Sequence, residues 1–179
     1  MARYVALLRA INVGGHVVKM ERLRQLFESL GLSKVETFIA SGNVVFEAAP
    51  NAARGLERQV EEHLHAELGY EVKTFIRSNA ELAKVAQYQP FERAGEASDG
   101  TLFIGFLSKA PAAEAAARLV GASTAIDQFH IHRRELYWRC RGKSNESPFS
   151  GPKLEKTLGM ATTLRNANTV RRLVAKYPS

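Results

Sequence analysis

The sequence predicts an α+β fold of two subdomains related to the ferredoxin-like fold, in which strands and helices follow the order βαββαβ. Apolar runs of strand length alternate with segments of helical periodicity from Tyr4 to Arg77. The periodicity lapses between residues 88 and 100, and a second series of strands and helices follows. A chain of 179 residues, 45% hydrophobic and 24% charged, is long enough to bury one sizeable core or two small ones.

The first half contains the clearest elements. The continuous apolar run Tyr4–Leu8 is typical of a strand in the interior of a sheet. Met20 opens a helix whose apolar residues recur at helical spacing. Two strands follow, over residues 35–40 and 44–46, and the Gly-Asn pair in Ser41-Gly42-Asn43 predicts a tight turn between them.

A second helix and a fourth strand complete the βαββαβ order. The helix opens near Asn51, and the strand is an alternating segment over residues 71–77. Ser78 and Glu81 then have the spacing of a capping box, in which the serine caps the first turn and the glutamate reaches back to it. They predict a short helix through about Gln87.

The segment in which the periodicity lapses contains Pro90, Gly95 and Gly100, which are typical of a linker. We therefore expect an N-terminal ferredoxin-like subdomain over residues 1–88, a linker over 89–100 and a C-terminal α+β subdomain over 101–179. The predicted elements of the last subdomain are strands at 101–107, 126–132 and 135–141 and helices at 111–120, at 152–158 and at the C-terminus. No strand is predicted to close a second βαββαβ unit.

The predicted hairpin of the second subdomain has one polar face. A two-residue turn at Arg133-Arg134 aligns His130, Tyr137, Arg139 and Arg141 as a basic, aromatic strip. If this sheet face is open, it resembles the surfaces that RNA-recognition modules use for stacking and phosphate contact. An ordinary solvated face is the alternative interpretation.

Residue types that would support metal, cofactor or nucleophilic chemistry are sparse. His130 and His132 share a face with Glu135, but zinc needs three or four ligands and no further one is identifiable, so we predict no metal site. Neither GxGxxG nor GxxxxGK[ST] occurs, and we predict no cofactor. Cys140, the single cysteine, excludes an internal disulfide, and alternation places it beside Trp138 in the core.

The sequence predicts a cytoplasmic protein without a membrane partner. Its first apolar run has about five residues, far fewer than a signal peptide or the ~20 residues of a membrane span require. The single cysteine fits a reducing compartment. The oligomeric state is left open.

The charge of the chain is unevenly distributed. The net charge is +7, yet residues 129–179 contain 11 Lys and Arg against three Asp and Glu, a net charge of +8. The preceding 128 residues are therefore close to neutral, with a net charge of −1. This asymmetry favours an anionic partner, either nucleic acid or a phosphorylated small molecule, and a solubilising surface is the alternative.

Three segments of the chain contain similar residue types, mainly Arg, Asn and Gly. In the first, Arg9 ends an apolar strand, and Asn12, Gly14 and Gly15 follow in a loop whose backbone N–H groups could cradle an anion. A structural ion pair is the alternative role for Arg9, and a turn is the alternative role for Asn12 and the glycines. The second segment offers Ser41 and Asn43 as candidate ligand-binding residues, with a hairpin turn as the alternative.

The third segment lies near the C-terminus. Lys153 falls in the first turn of a predicted helix, where the helix dipole disfavours a cation unless an anion is bound. Arg165, Asn166 and Asn168 precede the last helix, and one asparagine is explained as its N-cap. We expect all three segments to contribute to one site that binds an anion.

The blocks LLRAINVGG, SGNVVF and TLRNANTV resemble, in order and spacing, the signature blocks of a bacterial protein family of unknown function. The resemblance spans nearly the whole chain and implies an α+β protein of two subdomains related to the ferredoxin-like fold. It implies no established activity. Ala10 stands where the family often has Gly, and Ala167 stands where it typically has Trp.

Two classes of function stay open on the sequence. The first is a cytoplasmic protein that binds a nucleotide or nucleic-acid phosphates. The alternative is an enzyme that acts on a small phosphorylated or carboxylated substrate, although no acid–base pair stands out. A structural or oligomerising protein is a third possibility, in which the motifs would serve only as caps and ion pairs.

Overall fold

The computed structural model describes residues 1–91 and 100–179, apart from the side chains of residues 40 and 41. The chain divides into two compact units, one of Met1–Lys84 with Leu173–Ser179 and one of Val85–Arg172. Each unit contains a four-stranded antiparallel sheet. Most of the predicted linker 89–100 lies outside the described residues.

The first unit has the predicted βαββαβ order. Its elements are β1 (Ala2–Leu8), α1 (Met20–Glu28), β2 (Ser33–Phe38), β3 (Ala40–Ala48), α2 (Ala53–Leu68) and β4 (Thr74–Ser78), and α3 (Asn79–Gln87) follows. The strand order β2-β3-β1-β4 places β1 in the interior of the sheet, which confirms the prediction from its continuous apolar run. The capping box is also confirmed, because the Ser78 N–H donates to Glu81 and the Glu81 N–H donates to the Ser78 hydroxyl.

One face of the first sheet packs against α1 and α2. Alternate residues of β1 (Tyr4, Ala6 and Leu8) enter this core, as their spacing of two requires. The helices contribute apolar residues at helical spacing: Leu23, Leu26 and Phe27 from α1, and Leu56, Val60 and Leu64 from α2. The core therefore fixes the register of β1 and the position of the loop that follows it.

The outer edge of β4 is covered by carboxylates of α2. The Ile76 N–H donates to Oε1 of Glu57 at 2.8 Å, and the Thr74 N–H donates to Oε1 of Glu61 at 2.9 Å. Unpaired N–H groups along an edge strand invite pairing with another chain, and these two carboxylates remove that opportunity.

The predicted turn at Ser41-Gly42-Asn43 is wrong. The chain reverses at Ile39, whose φ is 65°, and residues 41–43 lie inside β3. Thr37 pairs with Val44 while Phe38 pairs with Ala40, so the three residues form a bulge opposite β2. Buried Asn43 supports the bulge, because its Nδ2 donates to the Phe38 carbonyl at 3.1 Å.

The second unit repeats the topology of the first. Its elements are β5 (Thr101–Phe106), α4 (Ala113–Gly121), β6 (Asp127–His132), β7 (Glu135–Cys140), α5 (Gly151–Leu158) and β8 (Thr163–Asn166), and α6 (Ala167–Lys176) follows. The strand order β6-β7-β5-β8 corresponds, strand for strand, to that of the first sheet. Both units are therefore related to the ferredoxin-like fold, as the sequence predicted.

The sequence analysis missed the strand that closes the second unit. Arg165 and Asn166 precede the last helix, as predicted, but they also lie in β8, which pairs with β5. A strand of only four residues, three of them polar, gives little alternation to detect. Its position beside the interior strand β5 stabilises it through backbone pairing instead.

A buried carboxylate links the hairpin of the second unit to the loop before α5. Oδ1 of Asp127 accepts a hydrogen bond from the indole of Trp138 at 2.8 Å, and Thr124 and Ser147 donate their hydroxyls to the same carboxylate. Asp127 has no solvent exposure. These bonds satisfy a carboxylate whose burial would otherwise be costly.

Candidate functional site

The first unit gathers two of the predicted segments at one end of its sheet. Leu7 pairs with Asn43, and Leu8 pairs with Thr74. Arg9 continues from that end, its N–H donating to the Lys73 carbonyl at 2.9 Å, and its side chain is half-buried. The loop after β1 and the bulge of β3 therefore lie at the same end of the sheet. The side chain of Ser41 is outside the part of the chain that the structure describes.

The loop between β1 and α1 is organised around a tight turn. The His16 N–H donates to the Val13 carbonyl at 3.3 Å, and Gly14 and Gly15 have φ values of 67° and 83°. These are the left-handed values that a type I′ turn needs at both central positions, and glycine adopts them without strain. The two glycines are thus explained as turn residues, independently of any anion.

Three further contacts fix this loop. Oδ1 of Asn12 accepts a hydrogen bond from the Val18 N–H at 2.8 Å, and the Tyr70 hydroxyl donates to the Ile11 carbonyl at 2.7 Å. The imidazole of His16 stacks on the ring of Tyr70, with centroids 3.9 Å apart and planes 22° apart. His16 is nevertheless exposed, so Tyr70 covers only part of the imidazole.

The second unit gathers its predicted residues in a comparable way. Cys140 of β7 pairs with Thr101, and Asn166 of β8 pairs with Phe103, so both strands end where β5 begins. The loop after β7 and the start of α6 are consequently at one end of the second sheet. This sheet end, the β7–β8 end, carries exposed Lys143 and Asn168 together with half-buried Asn166.

Local hydrogen bonds give the side chains of Asn166 and Asn168 a structural role. Oδ1 of Asn166 accepts from the Asn168 N–H at 2.9 Å, as an asparagine at a helix start does. Oδ1 of Asn168 accepts from the Arg171 guanidinium at 3.0 Å. The carbonyl oxygens are therefore engaged, and the Nδ2 groups of both side chains remain donors for a ligand.

Lys153 and Arg165 occupy contrasting environments. Lys153 is exposed in the first turn of α5, and its Nζ lies 4.8 Å from the centroid of the Phe149 ring. This cation–π contact offsets the unfavourable helix dipole. Arg165 donates to Oγ1 of Thr163 at 2.7 Å and to the Leu164 carbonyl at 2.9 Å. Burial lowers the pKa of Arg165 to about 10.

The two units differ in how their charges are paired. In the first unit, cations such as Arg22, Arg24 and Lys34 form ion pairs with glutamates. In the second unit, nine exposed cations lie in no ion pair with any residue in 1–91 or 100–179: Lys109, Arg118, Arg133, Arg141, Lys143, Lys153, Lys156, Arg171 and Arg172. The basic excess of the sequence is therefore displayed on this unit without compensating carboxylates among the described residues.

The prediction that the basic, aromatic strip lies on an open face of the second sheet is wrong, although the predicted register of the hairpin is confirmed. His132 pairs with Glu135 and His130 pairs with Tyr137, as expected. However, Tyr88 covers these residues: its ring stacks on His132 with centroids 4.0 Å apart. Tyr137 has no solvent exposure. The face contains apolar atoms, and their burial favours packing of the chain that follows α3. That packing covers the face.

The Tyr88 hydroxyl lies 2.8 Å from Nε2 of His130. Burial, and to a lesser degree the charge of His132, lower the pKa of His130, which favours the neutral imidazole. Phe91 also lies beneath Arg139, whose guanidinium carbon is 4.8 Å from the ring centroid.

Cys140 is buried, as predicted, and burial raises the pKa of its thiol. A protonated thiol is a poor nucleophile. Within residues 1–91 and 100–179, no three His, Cys, Asp or Glu side chains are grouped so that they could hold a metal ion. None of the helices in the same residues is both long and apolar enough to cross a membrane.

Sequence reasoning missed His16 and Tyr70 as members of the candidate site. His16 directly follows Gly15, and an aromatic side chain beside a glycine turn was a detectable signal. Tyr70 lies far along the chain, after α2, and no local pattern connects it with the loop. Only the fold brings its ring to His16.

The chain is similar to one protein family and to a solved bacterial structure. A family described as "Protein of unknown function (DUF1697)" matches residues 1–137. A conserved bacterial protein, SP0830 from Streptococcus pneumoniae, has a solved structure that is 23% identical, with a TM-score of 0.78. That similarity covers 100% of this chain and 99% of the other. No curated protein matches. Since the family match covers well over half of the sequence, the chain belongs to the DUF1697 family of proteins of unknown function.

Proposed function

We propose that this protein binds a phosphate-bearing anionic ligand, a nucleotide or a nucleic acid, in the cytoplasm. The observation that carries the proposal is the set of exposed cations on the second unit that lie in no ion pair with a described residue. Exposed cations of this kind release counterions when they meet phosphates, which supplies most of the affinity for a polyanion.

The β7–β8 end supports the same proposal with a local arrangement. Lys143 supplies positive charge at this end, and Asn166 and Asn168 supply Nδ2 donors that their own hydrogen bonds leave available. Lys153 adds an exposed positive charge in the first turn of α5. Lysine with asparagine is a common combination in contacts to phosphate oxygens. Arg165 adds a guanidinium whose burial would be offset by a nearby anion.

The first unit contributes a second group of proposed ligand-binding residues: Arg9, Asn12, Gly14, Gly15, Ser41 and Asn43. Arg9 ends β1 and the two glycines bring exposed backbone close to solvent. The presence of all these residues at one end of the first sheet supports a shared role. The convergence of this group with Arg165 stays a prediction.

The test is a titration of labelled single-stranded RNA and DNA at low and moderate salt. We expect weak binding that falls steeply between about 50 and 200 mM salt, as counterion release requires. A double variant, Lys143→Ala with Lys153→Ala, should weaken binding of every sequence and reduce the salt slope by about 0.7 for each phosphate that the protein no longer neutralises.

Lys109→Ala is the matched control. Lys109 is an exposed lysine of the same unit, but it follows β5 and therefore lies at the opposite end of the second sheet. We expect it to leave the salt slope unchanged. Absence of binding to RNA, to DNA and to a free nucleotide such as ATP at low salt, or equal losses in Lys109→Ala and the double variant, would contradict the proposal.

A further inference from the structure

We propose that the loop between β1 and α1 is a stacking site for a nucleobase, with the exposed side of the His16 imidazole as its platform. This inference rests on the proposed function and specifies its ligand: a nucleoside phosphate, whether free or within a single strand. The contacts of His16, the apolar residues beside it and the charges of the loop support it in turn.

The His16 ring is held in place from one side. Its stacking on Tyr70, at 3.9 Å between centroids, presents an aromatic pair of which Tyr70 is the inner member. The Tyr70 hydroxyl is itself fixed by its 2.7 Å bond to the Ile11 carbonyl. A ring whose orientation is fixed in advance loses little conformational entropy when a base stacks on it.

Three exposed apolar side chains lie within four residues of His16 in the sequence. Val13 and Val17 are 59% and 82% exposed, and Met20, at the start of α1, is 50% exposed. Large apolar side chains grouped on one exposed loop mark a binding surface more often than an ordinary one. A base offers two apolar faces, so it would remove this surface from water as an inorganic phosphate could not.

The charge of the loop is complementary to the rest of a nucleotide. Between Arg9 and Met20 the sequence contains Arg9 and Lys19 and no acidic residue. A phosphate attached to a stacked base would therefore meet cations without a neighbouring carboxylate from the same loop. The alternative aromatic surface, on the second sheet, is already covered by Tyr88.

The experiment compares two strands of equal phosphate number, a labelled oligothymidylate and an abasic strand of the same length. For a nucleic-acid ligand, the proposed function requires both strands to bind at low salt. The stacking site additionally requires the oligothymidylate to bind more tightly, by about tenfold, which is typical of one stacked base. ATP and tripolyphosphate form the corresponding pair for a free nucleotide, and a preference for ATP would identify that source.

Two variants assign the preference to His16. His16→Ala should abolish the difference between the strands while the abasic strand keeps its affinity, and His16→Phe should restore the difference. His65→Ala, which removes an exposed histidine from α2, is the control. Equal binding of the two strands to the unaltered protein, together with equal binding of ATP and tripolyphosphate, overturns the stacking site and leaves the proposed function intact. Binding of none of these four probes at low salt overturns both.

Discussion

The side chain of Asn12 closes the loop that carries His16, since its Oδ1 accepts a hydrogen bond from the Val18 N–H at 2.8 Å. An aspartate at this position keeps the acceptor and adds a negative charge beside the proposed anion site. We therefore expect Asn12→Asp to change the free energy of unfolding by less than about 0.5 kcal/mol while it lowers the affinity for single-stranded DNA.

Asn12→Ala is the complementary variant. It removes the acceptor without adding charge, and the loss of a hydrogen bond of this kind costs about 1 kcal/mol. Urea unfolding and strand binding, measured on both variants, separate support of the loop from electrostatics. If Asn12→Asp binds the strand as tightly as the unaltered protein, no phosphate approaches this loop.

Glu57 protects the edge of β4, and its removal should cost stability. Glu57→Ala leaves the Ile76 N–H without its acceptor and takes a carboxylate away from buried Arg77, whose Nη1 lies 3.8 Å from Oε1 of Glu57. The expected loss is about 1–3 kcal/mol in the free energy of unfolding. Light scattering should also show more association, because the edge is then open.

A second variant on the same helix is the control. Glu62 pairs with Arg58 on the exposed face of α2. Exposed pairs of this type contribute little, so Glu62→Ala should change stability by less than about 0.5 kcal/mol. A Glu57→Ala variant no less stable than Glu62→Ala would show that the edge hydrogen bond contributes nothing measurable.

Asp127 should be among the most sensitive positions of the second unit. Asp127→Ala leaves the buried indole N–H of Trp138 without an acceptor and releases the Ser147 hydroxyl, at a cost of about 3 kcal/mol. Asp127→Asn keeps one acceptor oxygen and should cost clearly less. Chemical denaturation monitored by tryptophan fluorescence reports on the site directly, because Trp138 is the single tryptophan. Equal losses in the two variants would count against the role of the indole bond.

The elements whose sequence signal is local were predictable. The apolar run of β1 and the Ser78–Glu81 capping box each carry their pattern within a few residues, and the structure confirms both. The β6–β7 register followed from a two-residue turn, because that turn length determines which residues pair.

The features that depend on distant contacts were not predictable in the same way. Asn43 favours a turn by its residue type, yet its amide bonds to Phe38 across a bulge. The strand β8 is too short to show alternation and forms because β5 offers it a free edge. Tyr88 covers the polar face of the hairpin from another part of the chain, which no property of the hairpin residues could indicate. The same limit hid the pairing of His16 with Tyr70.

The half-buried position of His130 predicts a dependence of stability on pH. Burial, with the charge of His132, lowers the pKa of His130 in the folded protein, whereas the unfolded chain titrates at about 6.5. As the pH falls through about 6.5, the unfolded state takes up a proton that the folded state does not yet accept. The free energy of unfolding should therefore decrease from about pH 7.5 to about pH 5, and the decrease should level off only below the lowered pKa.

His130→Gln isolates this contribution. Glutamine cannot titrate, yet it retains an acceptor for the Tyr88 hydroxyl, which lies 2.8 Å from Nε2 of the histidine. Urea unfolding at the two pH values should show a smaller loss of stability on acidification in His130→Gln than in the unaltered protein. His65→Gln, at an exposed position on α2, serves as the matched histidine substitution. If His130→Gln and the unaltered protein lose equal stability on acidification, protonation of His130 is no harder in the folded state than in the unfolded chain.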